Sequence, residues 1–207
     1  MMRRGLAWLR RIGFDYSCFM IYSLPLTELA PARRAQLPPD YRIADVSAAD
    51  LERSPYQELR DCRGYVGTDA LVFGVFTGEG VLLCVQCIWF GERYRGARFW
   101  PLAASEAASV HLISVAAERG KGLATCLKQE TAERMRKRGF SRLYSRIWWT
   151  NTASRRVSEK AGWEHVGTVL ELKLPGARKP WRIVRRRGAA PAFVDTMTAS
   201  TGSRTPR

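Results

Sequence analysis

The chain has 207 residues, 46% of them hydrophobic, which is enough for one packed domain with extensions. Its 34 Lys and Arg against 19 Asp and Glu leave a formal charge of +15, a field that attracts polyanions. The five cysteines are odd in number and lack framework spacing, and the longest apolar stretch, residues 12–26, is broken by Asp15 and Pro25. A disulfide-stapled scaffold and a membrane-spanning helix are therefore not expected, and a reducing, cytoplasmic setting is.

Residues 1–37 read as a basic extension. Within residues 1–14, Arg3, Arg4, Arg10 and Arg11 come without an acidic residue, and Leu6, Trp8, Leu9 and Ile12 offer one apolar face of an amphipathic helix. Such a segment suits an acidic membrane surface, so peripheral contact through residues 1–13 is an expectation. No secretory signal with a small-residue cleavage site is visible. A strand follows near 14–26, and Pro38-Pro39 marks the entrance to the next part.

Residues 38–175 carry the main pattern of apolar periodicity. Strands are expected near 41–45, 70–77, 80–90, 97–103, 109–115, 142–149 and 163–173, and helices near 47–62, 121–138 and 152–161. Gly78-Glu79-Gly80 between two apolar runs reads as a hairpin turn. Cys84 and Cys87 fall in one strand at i and i+3, on opposite faces, so no metal site is expected of them. Residues 176–207 read as a basic tail, rich in Ala, Thr, Ser, Gly and Pro from 188 onward and expected to be disordered.

The most informative stretch is 110–127. An apolar strand breaks into a turn carrying Arg119, Gly120, Lys121 and Gly122. A helix starts at once, with Leu123, Leu127, Thr131 and Met135 on one face. Glycines admit close backbone approach, and the first amides of a helix lack internal acceptors, so the junction is suited to a phosphate or pyrophosphate. Downstream, Asn151 is a natural N-cap for a short helix that Gly162 stops before Trp163.

This order of strand, R-G-x-G-x-A turn, helix, strand, N-x-x-S, short helix and G-W resembles the GNAT superfamily of acyl-CoA-dependent N-acetyltransferases. The family signature Q/R-x-x-G-x-G/A is matched by Arg119, Gly122 and Ala124, and its second signature by Asn151 and Gly162-Trp163. The strong part spans about 108–172, with a weaker match back to Tyr41, where YRIADVSAADL resembles the first strand and helix. The resemblance implies an α/β (α+β) fold: a mixed, mostly antiparallel sheet of about six to seven strands, splayed at the acyl-CoA site and flanked by helices.

It also implies acetyl-CoA as co-substrate, no metal, and direct transfer to a primary amine. Ile113, Ser114 and Val115 would pair with the pantetheine arm, and the amides of Gly120, Lys121, Gly122, Leu123, Ala124 and Thr125, with Arg119, would hold the pyrophosphate. Asn151 and Ser154 would contact the cofactor, although Asn151 is equally an N-cap. Many relatives place a Tyr seven residues after this Asn as the acid facing sulfur; here the position is Ser158. Tyr144 and Tyr16 are other candidates for that role, without a spacing argument. For the base, His111 stands first, Glu106 second and His165 third; an imidazole titrates near neutral pH. Each of these also has a plain packing or surface reading. The acceptor would be met by the first helix, residues 61–69 and residues 91–96.

Three functions remain open on the sequence: acetylation of a small amine such as an amino sugar or polysaccharide precursor, acetylation of a protein N-terminus or lysine, and non-catalytic acyl-CoA binding. No nucleic-acid-binding motif accompanies the basic charge, so nucleic acid is not an expected partner. A homodimer is compatible with all three.

Overall fold

The computed structural model describes residues 15–27, 35–97, 99–173, 181–187 and 192–194. The amphipathic helix expected in residues 1–13 lies outside them. The described residues divide into a larger unit, those within 22–147 and 151–164, and a smaller one, those within 15–21, 148–150 and 165–194. Nine strands occur among the described residues, two or three more than the six to seven expected, and most pair antiparallel.

In the larger unit β2 (Tyr41–Asp45), β3 (Ala70–Thr77), β4 (Leu82–Trp89) and β5 (Glu106–Ser114) pair antiparallel in that order. β6 (Arg142–Trp148) then adds parallel to β5. β3 and β4 are apolar without alternation because both faces are covered: Phe73, Val75, Val85 and Ile88 are fully buried. On the helical side Leu123, Leu127, Thr131 and Met135 of α4 (Leu123–Lys137) are buried, which is the row read from the sequence.

Two helices end in the same device. Gly139 and Gly162 are left-handed, at φ 85° and 86°. The amide of Phe140 donates to the Met135 carbonyl and that of Gly139 to Arg136, and Trp163 and Gly162 repeat the pattern on Ser158 and Glu159. The second case fixes where α5 (Thr152–Lys160) turns into Trp163.

Two expected elements differ. The helix expected over 47–62 is α1 (Ala48–Arg53), α2 (Gln57–Arg60) and a 3-10 turn, Asp61–Tyr65. Pro55 lacks an amide and disfavours the helical region for its predecessor, and Ser54 is extended at ψ 134°. The strand expected at 97–103 is absent: α3 (Gly91–Ala97) occupies its approach. The chain beyond is held by side-chain bonds instead of a ladder, since Tyr94 Oη donates to the Trp100 carbonyl (2.6 Å) and accepts from its amide (3.0 Å).

In the smaller unit β7 (Glu164–Lys173), β8 (Trp181–Arg186) and β9 (Ala192–Val194) pair antiparallel, so two strands lie within the stretch read as tail. β1 (Asp15–Pro25) begins in this unit and ends in the larger one. Phe19 packs edge-on against Trp148 at 5.0 Å.

Candidate acyl-CoA site

β5 and β6 are in register only from Glu106 with Arg142 to Ser109 with Ser145. Beyond that point β5 continues to Ser114 and β6 to Trp148 without pairing. At the same place β5 changes from buried (Ala107, Ala108, Ser109) to half-buried, and its register on β4 slips by one residue around Val110, a bulge. The two strands therefore part, and one edge of β5 has an open main chain.

Val115 donates its amide to Leu83 on the β4 side (2.9 Å). By the two-residue alternation of a strand, Ile113 also faces β4, while Leu112 and Ser114 turn their amides and carbonyls to the open edge. Of the three residues expected to pair with a pantetheine arm, Ser114 is the one whose backbone is placed to do so. Leu112, which the sequence reading passed over, is the second.

The strand then enters the glycine turn. Gly120 and Gly122 both have φ 85°, which an L side chain resists, and open space lies where a Cβ would be. Among the described residues the amides of Gly120, Lys121, Gly122, Leu123 and Ala124 donate to no backbone or side-chain acceptor. Thr125 differs from the expectation: its amide donates to the Gly122 carbonyl (2.9 Å) and is used inside the helix. Five orphan donors at the positive end of a 15-residue helix are suited to an anion. Arg119 Nε donates to the Ser114 carbonyl (3.2 Å), which ties the turn to the end of β5. Lys121 is held by Glu118 (2.9 Å), whose other oxygen accepts from Tyr41 (3.3 Å). That bond to Glu118 raises the Lys121 pKa, so its charge is kept.

Asn151 caps α5 through Oδ1, which accepts from the Ser154 amide (3.0 Å). This leaves its amide NH2 as the group able to donate elsewhere. Ser158 is buried, and among the described residues its hydroxyl has no hydrogen-bond partner. Trp163, whose amide donates to the Ser158 carbonyl, is also buried, and its indole N–H has no partner among the described residues. Over that indole, 3.7 Å from its centroid, sits the ammonium of Lys128, 1% exposed. Burial pushes the Lys128 pKa down to about 7.

His111 is half-buried on β5, opposite Cys87 of β4, and stacks on Tyr65 (4.8 Å, 14° between planes). Burial lowers its pKa, so the imidazole is neutral at pH 7. Glu106 is at the other end of β5, eight positions from Ser114, roughly 26 Å along an extended strand. Its carboxylate accepts from the Ala103 amide (2.8 Å) and pairs with Arg142 (3.5 Å), so it is not brought to the loop. His165 belongs to the smaller unit, where Nε2 contacts the Gly167 carbonyl (2.7 Å). Tyr16 also belongs to that unit. Tyr144 of β6 pairs with Ala108 of β5, before the strands part, and burial raises its pKa. The thiol of Cys126, in the first turns of α4, is buried with a raised pKa, which keeps it protonated and a poor nucleophile. Among the described residues no cluster of His, Cys, Asp and Glu could hold a metal ion.

No family model and no curated protein matches the sequence. Solved structures match the fold. A tandem GNAT protein from the clavulanic acid biosynthesis pathway is similar at TM-score 0.55 and 15% identity, over 84% of this chain and 59% of that one. An N-acetyltransferase from Sphaerobacter thermophilus is similar at 0.53 and 14%, over 84% and 58%. The glucosamine N-acetyltransferase region of a fungal multi-domain β-N-acetylglucosaminidase is similar at 0.53 and 12%, over 80% and 22%. The chain has the GNAT fold. It spans less than three-fifths of the length of the first two of these neighbours.

Proposed function

We propose that this chain is an N-acetyltransferase that moves an acetyl group from acetyl-CoA directly to a primary amine. The observation that carries the reading is the parting of β5 from β6 in front of a turn with five orphan amides. A strand edge that can pair with an amide-bearing arm leads straight into an anion site, which is the shape of pantetheine joined to pyrophosphate.

In this reading the amides of residues 120–124 hold the pyrophosphate, and Leu112 and Ser114 pair with the arm. Such backbone pairing fixes the thioester, and orientation is a large part of the rate. An open amide of β5 donates to the thioester oxygen as charge develops on it. His111, neutral at pH 7, accepts the proton that the amine must lose. The amine nitrogen bonds to the acetyl carbon, the carbon–sulfur bond breaks, and CoA leaves as thiolate. A serine hydroxyl is a far weaker acid than a phenol, so Ser158 does not replace tyrosine directly, and water supplies the proton to sulfur.

The acceptor class proposed is a small amine, with an amino sugar or polysaccharide precursor first; a glucosamine acetyltransferase region shares the fold. A protein N-terminus or lysine is the rival acceptor. The buried, unpartnered Ser158 supports one further reading, a scaffold that binds acyl-CoA without turnover. Thiol release from acetyl-CoA across a panel of amino sugars, arylalkylamines and peptides tests both. Amine-dependent release that His111→Ala loses supports the enzyme. Tight acetyl-CoA binding with no release for any amine supports the scaffold.

A further inference from the structure

A general base has to be aimed as well as neutral. An imidazole is usually aimed by a hydrogen bond to its second nitrogen. Among the described residues neither nitrogen of His111 has a hydrogen-bond partner, and the ring contact it makes is with Tyr65, 4.8 Å away and nearly parallel.

Tyr65 is itself held. It ends the 3-10 turn that follows α2, and its carbonyl accepts from the Trp89 indole N–H (3.1 Å). The two rings lie 5.4 Å apart, tilted by 36°. Trp89 ends β4, and the Arg93 guanidinium from α3 covers it at 4.7 Å. Arg93 Nη2 then donates to the Gly64 carbonyl, 2.6 Å away, next to Tyr65 in the chain. Gly67 leaves room for this: a Cβ there would stand 2.8 Å from Arg93 Nη1. The neighbouring turn is tied down too, since Asp69 accepts from the Glu92 amide (2.9 Å). Arg93, Trp89, Tyr65 and His111 thus form a ladder across four elements, closed on itself at Gly64.

We propose that Tyr65 is the positioning residue for His111, holding the imidazole by its face so that both nitrogens stay free for the incoming amine. This rests on the acetyltransferase reading for what His111 does, and on geometry alone for how it is held. Stacking suits a base better than a carboxylate partner would. A carboxylate would raise the imidazole's affinity for protons and occupy one nitrogen, whereas a phenol ring covers one face and excludes water. The titratable groups facing His111 are Cys87 from β4 and Tyr65 from the 3-10 turn, with Cys62 behind Tyr65 and Arg93 one ring further on. Burial, not a charged neighbour, is what shifts His111.

The sequence has two histidines, so an NMR titration of the imidazole protons reads His111 with His165 as internal control. Expected in the intact protein is a His111 signal with ring-current displacement and a midpoint below 6.5. Tyr65→Phe keeps both. Tyr65→Leu loses the displacement and moves the midpoint back toward 6.5, with His165 unchanged. At pH 7 Tyr65→Leu lowers kcat by roughly tenfold, with KM for acetyl-CoA unaltered and Tyr65→Phe near wild type. A folded Tyr65→Leu whose His111 shifts and midpoint match wild type overturns the proposal, as does Tyr65→Phe behaving like Leu. Acetyl-CoA titration of the wild-type protein separates the two claims. If it fails while the NMR changes occur, the acyltransferase reading falls and the stack stands.

Discussion

The phosphate turn and the chemical end of the site are built in opposite ways. The turn, residues 115–125, is almost all main chain: two left-handed glycines, a helix start and five free amides, all contiguous. The end around His111 is built from side-chain rings and a guanidinium, tied at two main-chain carbonyls and assembled from β4, β5, α3 and the 3-10 turn. A main-chain site needs little from its neighbours. A side-chain site is only as good as the packing that aims it, so damage to the first should remove binding and damage to the second should remove turnover.

The largest effect that sharpens this contrast is expected at Gly122. A tryptophan there must adopt φ 85° or rebuild the turn, so Gly122→Trp should weaken acetyl-CoA binding by at least roughly 100-fold while the fold survives by circular dichroism. Next, His111→Ala should cut kcat by about 10²-fold or more and leave the dissociation constant for acetyl-CoA within about twofold. In the wild type the acid limb of kcat/KM should fall below pH 6.5, because burial lowers the pKa of His111 and keeps it neutral further into acid.

Lys128 should separate stability from function. Its pKa is about 7 folded against an ordinary 10.5, so between these values the unfolded chain holds a proton that the folded one lacks. Stability then rises with pH from about 7 to 10, and the penalty is fully present below 7. The indole beneath the ammonium offsets a part of it, about 1–2 kcal/mol. Lys128→Met should therefore raise the melting temperature most at pH 6, with the gain fading toward pH 11. The smallest effect is expected at Asn151: loss of the cap in Asn151→Ala should cost about 1 kcal/mol of stability by urea denaturation. If acetyl-CoA affinity falls as well, the side-chain NH2 also contacts the ligand.

What was legible in the sequence follows the same division. The turn, α4 and the cap at Asn151 are local, and periodicity with glycine placement reveals them. The partner of His111 is not local: nothing in residues 61–65 marks Tyr65 as the ring that would meet a strand far along the chain. Glu106 illustrates the converse, since its position near the right strand said nothing of the Ala103 amide and Arg142 that engage it. The strand expected at 97–103 does not form: apolar aromatics suit a buried loop as well as a strand, and the Tyr94–Trp100 bonds that decide for the loop are invisible in one dimension. Thr125 fell outside the free amides because its N–H closes the first helical turn on Gly122.

The account stands on the claim that the open edge of β5 and the glycine turn form one acyl-CoA site. Calorimetric titration of the full chain with acetyl-CoA, beside inorganic pyrophosphate, tests it most directly. Micromolar, one-to-one binding of acetyl-CoA, with pyrophosphate far weaker, is the predicted result, because the turn supplies the anion site and the strand edge the rest. No acetyl-CoA binding, or pyrophosphate binding as tightly, would contradict it.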